Sequence, residues 1–153
     1  MGLFSFFRKK PLFNASENEV IVSAIRSAEQ NTSGEVRVFV ESRNYLVNPL
    51  ERAAEVFLQL KMQDTEHRNA VLLYIAIKDK ELALFADEGI FKAVGADYWN
   101  HAVKQMISEF SKDNVAEGIA QCVIKVGNTL KEKFPYDRNT DKNELPDEIV
   151  FGK

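Results

Sequence analysis

Residues 70–86 read AVLLYIAIKDKELALFA, and the folding of this stretch decides the architecture of the chain. Residues 70–77 form a near-continuous apolar run, the pattern of a central strand covered on both faces. Lys78-Asp79-Lys80 is a short polar turn, and residues 81–86 read as its hairpin partner. A turn this short makes the two strands antiparallel.

Upstream, residues 35–41 alternate strongly. Val36, Val38 and Val40 share one face, with Arg37 and Glu41 opposite, which predicts a strand. Between the two strands, Asn48-Pro49 opens a helix, with proline at the first helical position and Glu51 at the third. Leu50, Ala53, Ala54, Phe57 and Leu60 are its buried stripe. Strand, crossover helix and strand give a parallel pair with a right-handed connection. Before them, Ser16-x-x-Glu19 fits a capping box, and Val20, Ile21, Ala24, Ile25 and Ala28 repeat at helical spacing.

Beyond residue 86, Tyr98, Trp99, Ala102, Val103, Met106, Ile107 and Phe110 mark an amphipathic helix. A second, capped by Asp113 or Asn114, carries Val115, Ile119, Cys122, Val123, Val126 and Leu130. The order α, β, α, β, β, α, α predicts an α/β three-layer αβα sandwich, a small mixed sheet with helices on both faces. Residues 16–134 are expected to be the domain. Residues 1–15 read as a flexible N-terminal segment, and 135–153 as an extended or disordered tail.

Composition bounds the function. The 153 residues are 45% hydrophobic and 28% charged, ordinary for a soluble domain, and the net charge of −3 argues against a nucleic-acid partner. Cys122 is the lone cysteine, so neither an internal disulfide nor a CxxC zinc framework can form. Residues 1–7 are apolar and Arg8-Lys9-Lys10 follows, the reverse of a secretory signal. No run approaches the 18 or so apolar residues of a transmembrane helix, so a cytoplasmic location is expected. The Phe-rich start beside three cations allows weak contact with an anionic membrane surface.

The hairpin also gathers charge. The loop at 64–69 enters the second strand, and the third strand, running back, exits at the same sheet edge. Asp64 and Glu66 are thereby expected to converge with Asp87, Glu88 and Asp97, with Arg68 and Asn69 between them. Calcium accepts 6–8 oxygens in loose geometry, and Gly89 and Gly95 would let backbone carbonyls approach an ion. Magnesium accepts the same oxygens with stricter geometry, whereas zinc lacks its usual ligands, having only His67 close by. The same carboxylates can equally be solvated loop charges, a plain N-cap at Asp97 and an Asp64–Arg68 pair. Trp99 reads as core rather than ligand contact, and His67 as a surface histidine. No GxSxG, GxxxxGK[ST], GxGxxG or HExxH motif occurs, so any chemistry would be metal-assisted.

Three ordered motifs carry a resemblance: SGEVRVFVE at 33–41, RNAVLLYIAIKDKELALFADEGI at 68–90 and VGADYW at 94–99. Together they resemble the TPM domain family. The resemblance implies a Rossmann-like αβα sandwich with a calcium or other divalent-cation site in an acidic groove. In some plant relatives it also implies an acid phosphatase activity linked to photosystem II repair. Its matched positions here are Asp87, Glu88 and Gly89, Asp97 and Trp99, and Arg68 with Asn69, with Asp64 a weaker carry-over. Many relatives carry a signal peptide and a C-terminal transmembrane helix, neither of which is expected here, and this sequence reads Arg68-Asn69-Ala70 where RNG is common. The expected function is a non-enzymatic module that binds calcium, or magnesium, and tunes a protein or membrane-assembly partner. The alternative is a metal-assisted acid phosphatase.

Overall fold

In the computed structural model, which describes residues 11–44, 48–136 and 148–152, the opening stretch forms the expected hairpin. In chain order the elements are α1 (Ala15–Asn31), β1 (Glu35–Glu41), α2 (Pro49–Gln59), β2 (Ala70–Ala76), β3 (Glu81–Ala86), α3 (Glu88–Val94), α4 (Ala96–Ser108), α5 (Val115–Leu130) and β4 (Val150–Phe151). The sheet order is β3-β2-β1-β4. β1 lies parallel to β2, from Glu35 opposite Ala70 to Glu41 opposite Ala76. β2 and β3 pair antiparallel, from Val71 opposite Ala86 to Ala76 opposite Glu81.

The alternation along β1 sorts two cores. Val36, Val38 and Val40 face α1 and α5 together with Val71, Leu73 and Ile75, and α4 adds Trp99 and Met106 to that side. Phe39, Leu72, Tyr74 and Ala83 face α2, which contributes Ala53, Val56 and Phe57. β2 is buried at every position, as a strand covered on both faces must be. The result is an α/β three-layer sandwich with a mixed sheet. No helix among the described residues is long and apolar enough to cross a membrane.

Three local expectations are corrected. The capping box of α1 is Asn14 with Glu17, not Ser16 with Glu19: the Asn14 side chain accepts from the Glu17 N–H at 2.8 Å, and Glu17 accepts from the Asn14 N–H at 2.9 Å. Both pairs have the required spacing. The buried Phe13 fixes where the chain turns into the helix, two residues earlier than Ser16. Residues 150–151, read as part of a tail, form β4 beside β1. Three strands would leave the backbone groups of β1 open at an edge, and an apolar segment can pair with them. Between a strand end at Ala86 and a helix head near Tyr98, a single junction was expected. The structure inserts the short helix α3 there. The readings for residues 1–10 and 137–147, including the membrane-contacting start, lie outside the described residues.

α1 and α5 approach closely because Gly127 faces Ala28. A Cβ at position 127 would stand 2.9 Å from the Ala28 Cβ and 3.0 Å from its Cα. Gly127→Val is expected to cost about 2 kcal/mol, read as a lower urea midpoint, because the added methyls must force two packed helices apart.

Candidate functional site

The site is built where the loop before β2 meets the start of α3. α2 ends at Gln59, and the chain turns with Lys61 at φ 56°. Met62 anchors the turn: its N–H donates to the Phe57 carbonyl at 3.0 Å, and its side chain is fully buried. The loop then delivers Arg68, again in the left-handed region at φ 50°, and Asn69. Two backbone bonds stitch this loop and the first residue of β2 to the start of α3. The Asp87 N–H donates to Ala70 O at 2.9 Å, and the Gly89 N–H donates to Arg68 O at 2.9 Å. The antiparallel hairpin makes both bonds possible, because it returns the chain to the end of the sheet where β2 began.

Asp87 caps α3. Its Oδ1 accepts from the Glu88 N–H at 2.8 Å. The same carboxylate is gripped by Arg68 in a fork: Nε donates to Oδ2 at 2.7 Å and Nη2 donates to Oδ1 at 2.9 Å. Arg68 Nη1 lies 3.2 Å from Glu88 Oε1. Bidentate pairs of this kind are the stronger and more directional ion pairs. The Asp87 side chain is 6% exposed and that of Arg68 is 43% exposed, so a buried carboxylate is neutralised by a cation reaching in from solvent. The hydrogen bonds to Asp87 raise Arg68 further above its already high range. Burial opposes this, and the charges of Asp87, Glu88 and Asp64 add to the upward shift.

The structure thus brings Arg68, Asp87, Glu88 and Gly89 of the predicted set into one corner. Asn69 follows Arg68 and is 1% exposed, and its Oδ1 and Nδ2 both lack a hydrogen-bond partner. Thr65, in the same loop, is buried with its Oγ1 likewise unpartnered. Asp64 is exposed in the loop, close enough for Arg68 to feel its charge. Asp97 is exposed in the first turn of α4, whose N-cap is Gly95, not Asp97. Trp99 is core at 1% exposure. Among the described residues, no group of three or more His, Cys, Asp or Glu side chains is drawn together as a metal cage. Of the donors a hard cation would use, the structure joins only the two carboxylates of Asp87 and Glu88, through Arg68. The guanidinium of Arg68 already occupies the face of Asp87 that such an ion would use.

A second polar cluster escaped the sequence reading. Glu41, set opposite the valines of β1, is buried, and accepts from Arg52 Nε at 2.9 Å, from Arg52 Nη2 at 3.0 Å and from the Tyr74 hydroxyl. The register Phe39↔Tyr74 and Glu41↔Ala76, with the face alternation, could have pointed to Tyr74 as a neighbour. Arg52, on α2, gives no such signal from spacing alone. Cys122 is buried in α5, and burial pushes its thiol up to about 12, as expected of an inert core cysteine.

A family model described as the TPM domain matches residues 8–129. The chain belongs to the TPM domain family. This TPM domain is similar to the BA42 protein of the psychrophilic bacterium Bizionia argentinensis, whose NMR structure it matches with 36% identity and a TM-score of 0.83. That alignment covers 95% of this chain and 99% of the other. It also resembles the N-terminal domain of the cg2496 protein from Corynebacterium glutamicum, with 15% identity, a TM-score of 0.56, and 81% and 86% of the two chains covered. At that identity the second likeness speaks for the shared fold alone. A search among curated proteins returned no match.

Proposed function

We propose that this TPM domain is a non-enzymatic regulatory module that takes a divalent cation, calcium before magnesium, at the Asp87–Glu88 corner. One observation carries the reading: the corner already holds a cation, the guanidinium of Arg68, paired with Asp87 and Glu88 and within the field of Asp64. The carboxylates that draw this positive charge are oxygen donors of the kind a divalent cation takes. Asn69, next to Arg68 in the chain, has a buried, unpartnered Oδ1, a neutral oxygen of the type calcium accepts. Calcium ranks first because loose geometry tolerates a corner built from a loop and a short helix, where magnesium demands an octahedron. In this reading the ion tunes docking to a protein or membrane-assembly partner in the cytoplasm.

Acid phosphatase activity receives less support. Both Asp87 oxygens are engaged, by Arg68 and by the Glu88 N–H, which holds the carboxylate away from the role of a free nucleophile.

The test is a calcium and a magnesium titration followed by amide shifts and melting temperature. Binding to the folded state alone stabilises by about 2.7 kcal/mol at one hundred times Kd, or roughly 5–10 °C for a domain of this size. The shifts are expected at residues 64–69 and 87–89. Asp87→Asn should abolish them, since asparagine keeps the helix cap but removes the charge. A parent protein whose amides and melting temperature ignore millimolar calcium would refute the proposal.

A further inference from the structure

We infer that this domain pairs with a second copy of itself through β3, edge to edge and antiparallel, with the two-fold axis at Leu84. β3 is the outermost strand in the order β3-β2-β1-β4, so one side of it has no strand neighbour among the described residues. In an antiparallel pair, successive residues bond the neighbour and point away from it in turn. The Asp87 N–H donates to Ala70 O, one step beyond the pair of Ala86 with Val71. Phe85, Ala83 and Glu81 therefore bond β2 as Asp87 does, and the N–H and C=O groups of Leu82, Leu84 and Ala86 face the open side. No backbone bond from a described residue reaches them there. The strand has no proline and an unbroken register, and its single charge, Glu81, stands at its start. Nothing in β3 itself blunts the edge.

The open side is the floor of an apolar groove of about 470 Å³. Leu82 to Ala86 line it, between Leu50 at the head of α2 and Trp99, Val103 and Ile107 on α4. Leu50 is 54% exposed there. An occupant needs an extended backbone, apolar side chains on both faces, and charges that match those at the two ends of the strand. Lys80 is exposed at one end and Glu88 at the other. Residues 80–88 of a second copy, running in the opposite direction, meet each requirement.

Only the outward residues can bond across, which limits the register. With Leu84 opposite Leu84, Leu82 meets Ala86 and Ala83 meets Phe85, a large side chain against a small one in each pair. Lys80 falls opposite Glu88, and the two-fold makes that ion pair twice. A shift by two residues sets Lys80 against Ala86 or Glu88 against Leu82, and the charge match is lost. Glu81 falls opposite Asp87, whose charge Arg68 already balances. The two sheets become one, and the α2 and α4 walls of each copy stand beside the same walls of the other.

The experiment follows the full chain from micromolar to millimolar concentration by sedimentation equilibrium and amide hydrogen exchange. A monomer–dimer equilibrium is expected. Exchange at the N–H groups of Leu82, Leu84 and Ala86 should slow as concentration rises, while Ala83 and Phe85, already bonded to β2, change little. Lys80→Glu, on an exposed turn, should fold as the parent does and weaken the dimer roughly tenfold, because one substitution sets two like-charge pairs against each other. A protein that stays monomeric at millimolar concentration would overturn the proposal. Slow exchange of the three amides at every concentration would overturn it too, because a segment of the same chain would then cover the edge. A dimer that leaves those amides at their monomer rates would show that another face holds the copies together, and an undiminished Lys80→Glu dimer would refute the register.

Discussion

Gly89→Ala is expected to lower the unfolding free energy by about 3 kcal/mol, at the upper end of what overpacking a well-packed position costs. A Cβ at position 89 would lie 2.1 Å from His67 O and 2.5 Å from Arg68 O. Both are backbone atoms, so no side chain can rotate away. Relief requires α3 to separate from the loop, and that movement breaks the bond from the Gly89 N–H to Arg68 O. It also carries Asp87 away from the Arg68 fork. The small gain in helix propensity from alanine does not offset this. Melting should fall by roughly 10 °C for a domain of this size, measured by calorimetry. A melting temperature within a degree or two of the parent would show that the junction yields easily. The corner would then be far less rigid than its geometry requires.

Glu41→Ala is expected to cost a similar amount, about 3 kcal/mol, the low end for breaking a buried ion pair by removing one partner. The substitution strands two groups. The Tyr74 hydroxyl, on a fully buried residue, loses its acceptor. Arg52 loses its fork, though it is 21% exposed, keeps Glu55 as a partner, and lies 5.8 Å over the Phe39 ring, which moderates the loss. Burial alone would raise the Glu41 carboxyl; the hydrogen bonds from Arg52 and Tyr74, with the Arg52 charge, outweigh it and hold the group below its ordinary 4.5. Because the folded value is depressed, the stabilisation is complete above about 4.5 and is lost as pH falls through the folded value. Burial and the Glu41 charge together push the Tyr74 hydroxyl well above its ordinary range, so it remains a donor throughout. Urea midpoints of the parent and of Glu41→Ala should therefore differ most near neutral pH and converge on acidification below 4.5. A gap that is constant with pH would mean that lost packing, not the carboxylate, accounts for the destabilisation.

The two cases mark where sequence reading stops. Asp87 and Glu88 stood out as acidic residues at a strand exit, and the antiparallel turn at residues 78–80 required them to meet the loop before β2. That much followed from counting strands. Whether Asp87 faces water, an ion or Arg68 depends on burial and on side-chain reach across 19 positions, and no periodicity encodes either. In sequence Asp97 stands beside Asp87 as a matched position, with Asp64 a weaker one. In the fold only Asp87 is buried of the three, so only there does a missing partner carry a large penalty. Glu41 shows the converse. Its alternation marked it for the face opposite the valines, which reads as solvent unless a helix covers it. α2 does cover it, and brings the arginine that makes the burial tolerable.

By itself the sequence determined the sandwich: the continuous apolar run at 70–77, the polar turn at 78–80, the alternation at 35–41 and the helical stripes are local patterns, set by the two- and 3.6-residue periods of the backbone. The tertiary structure alone decided that α3 exists and that β4 completes the sheet. It also decided that Arg68 holds Asp87 and that Arg52 holds Glu41. Each of these turns on which distant groups share a low-dielectric space, where an unpaired charge is costly and a specific partner is required.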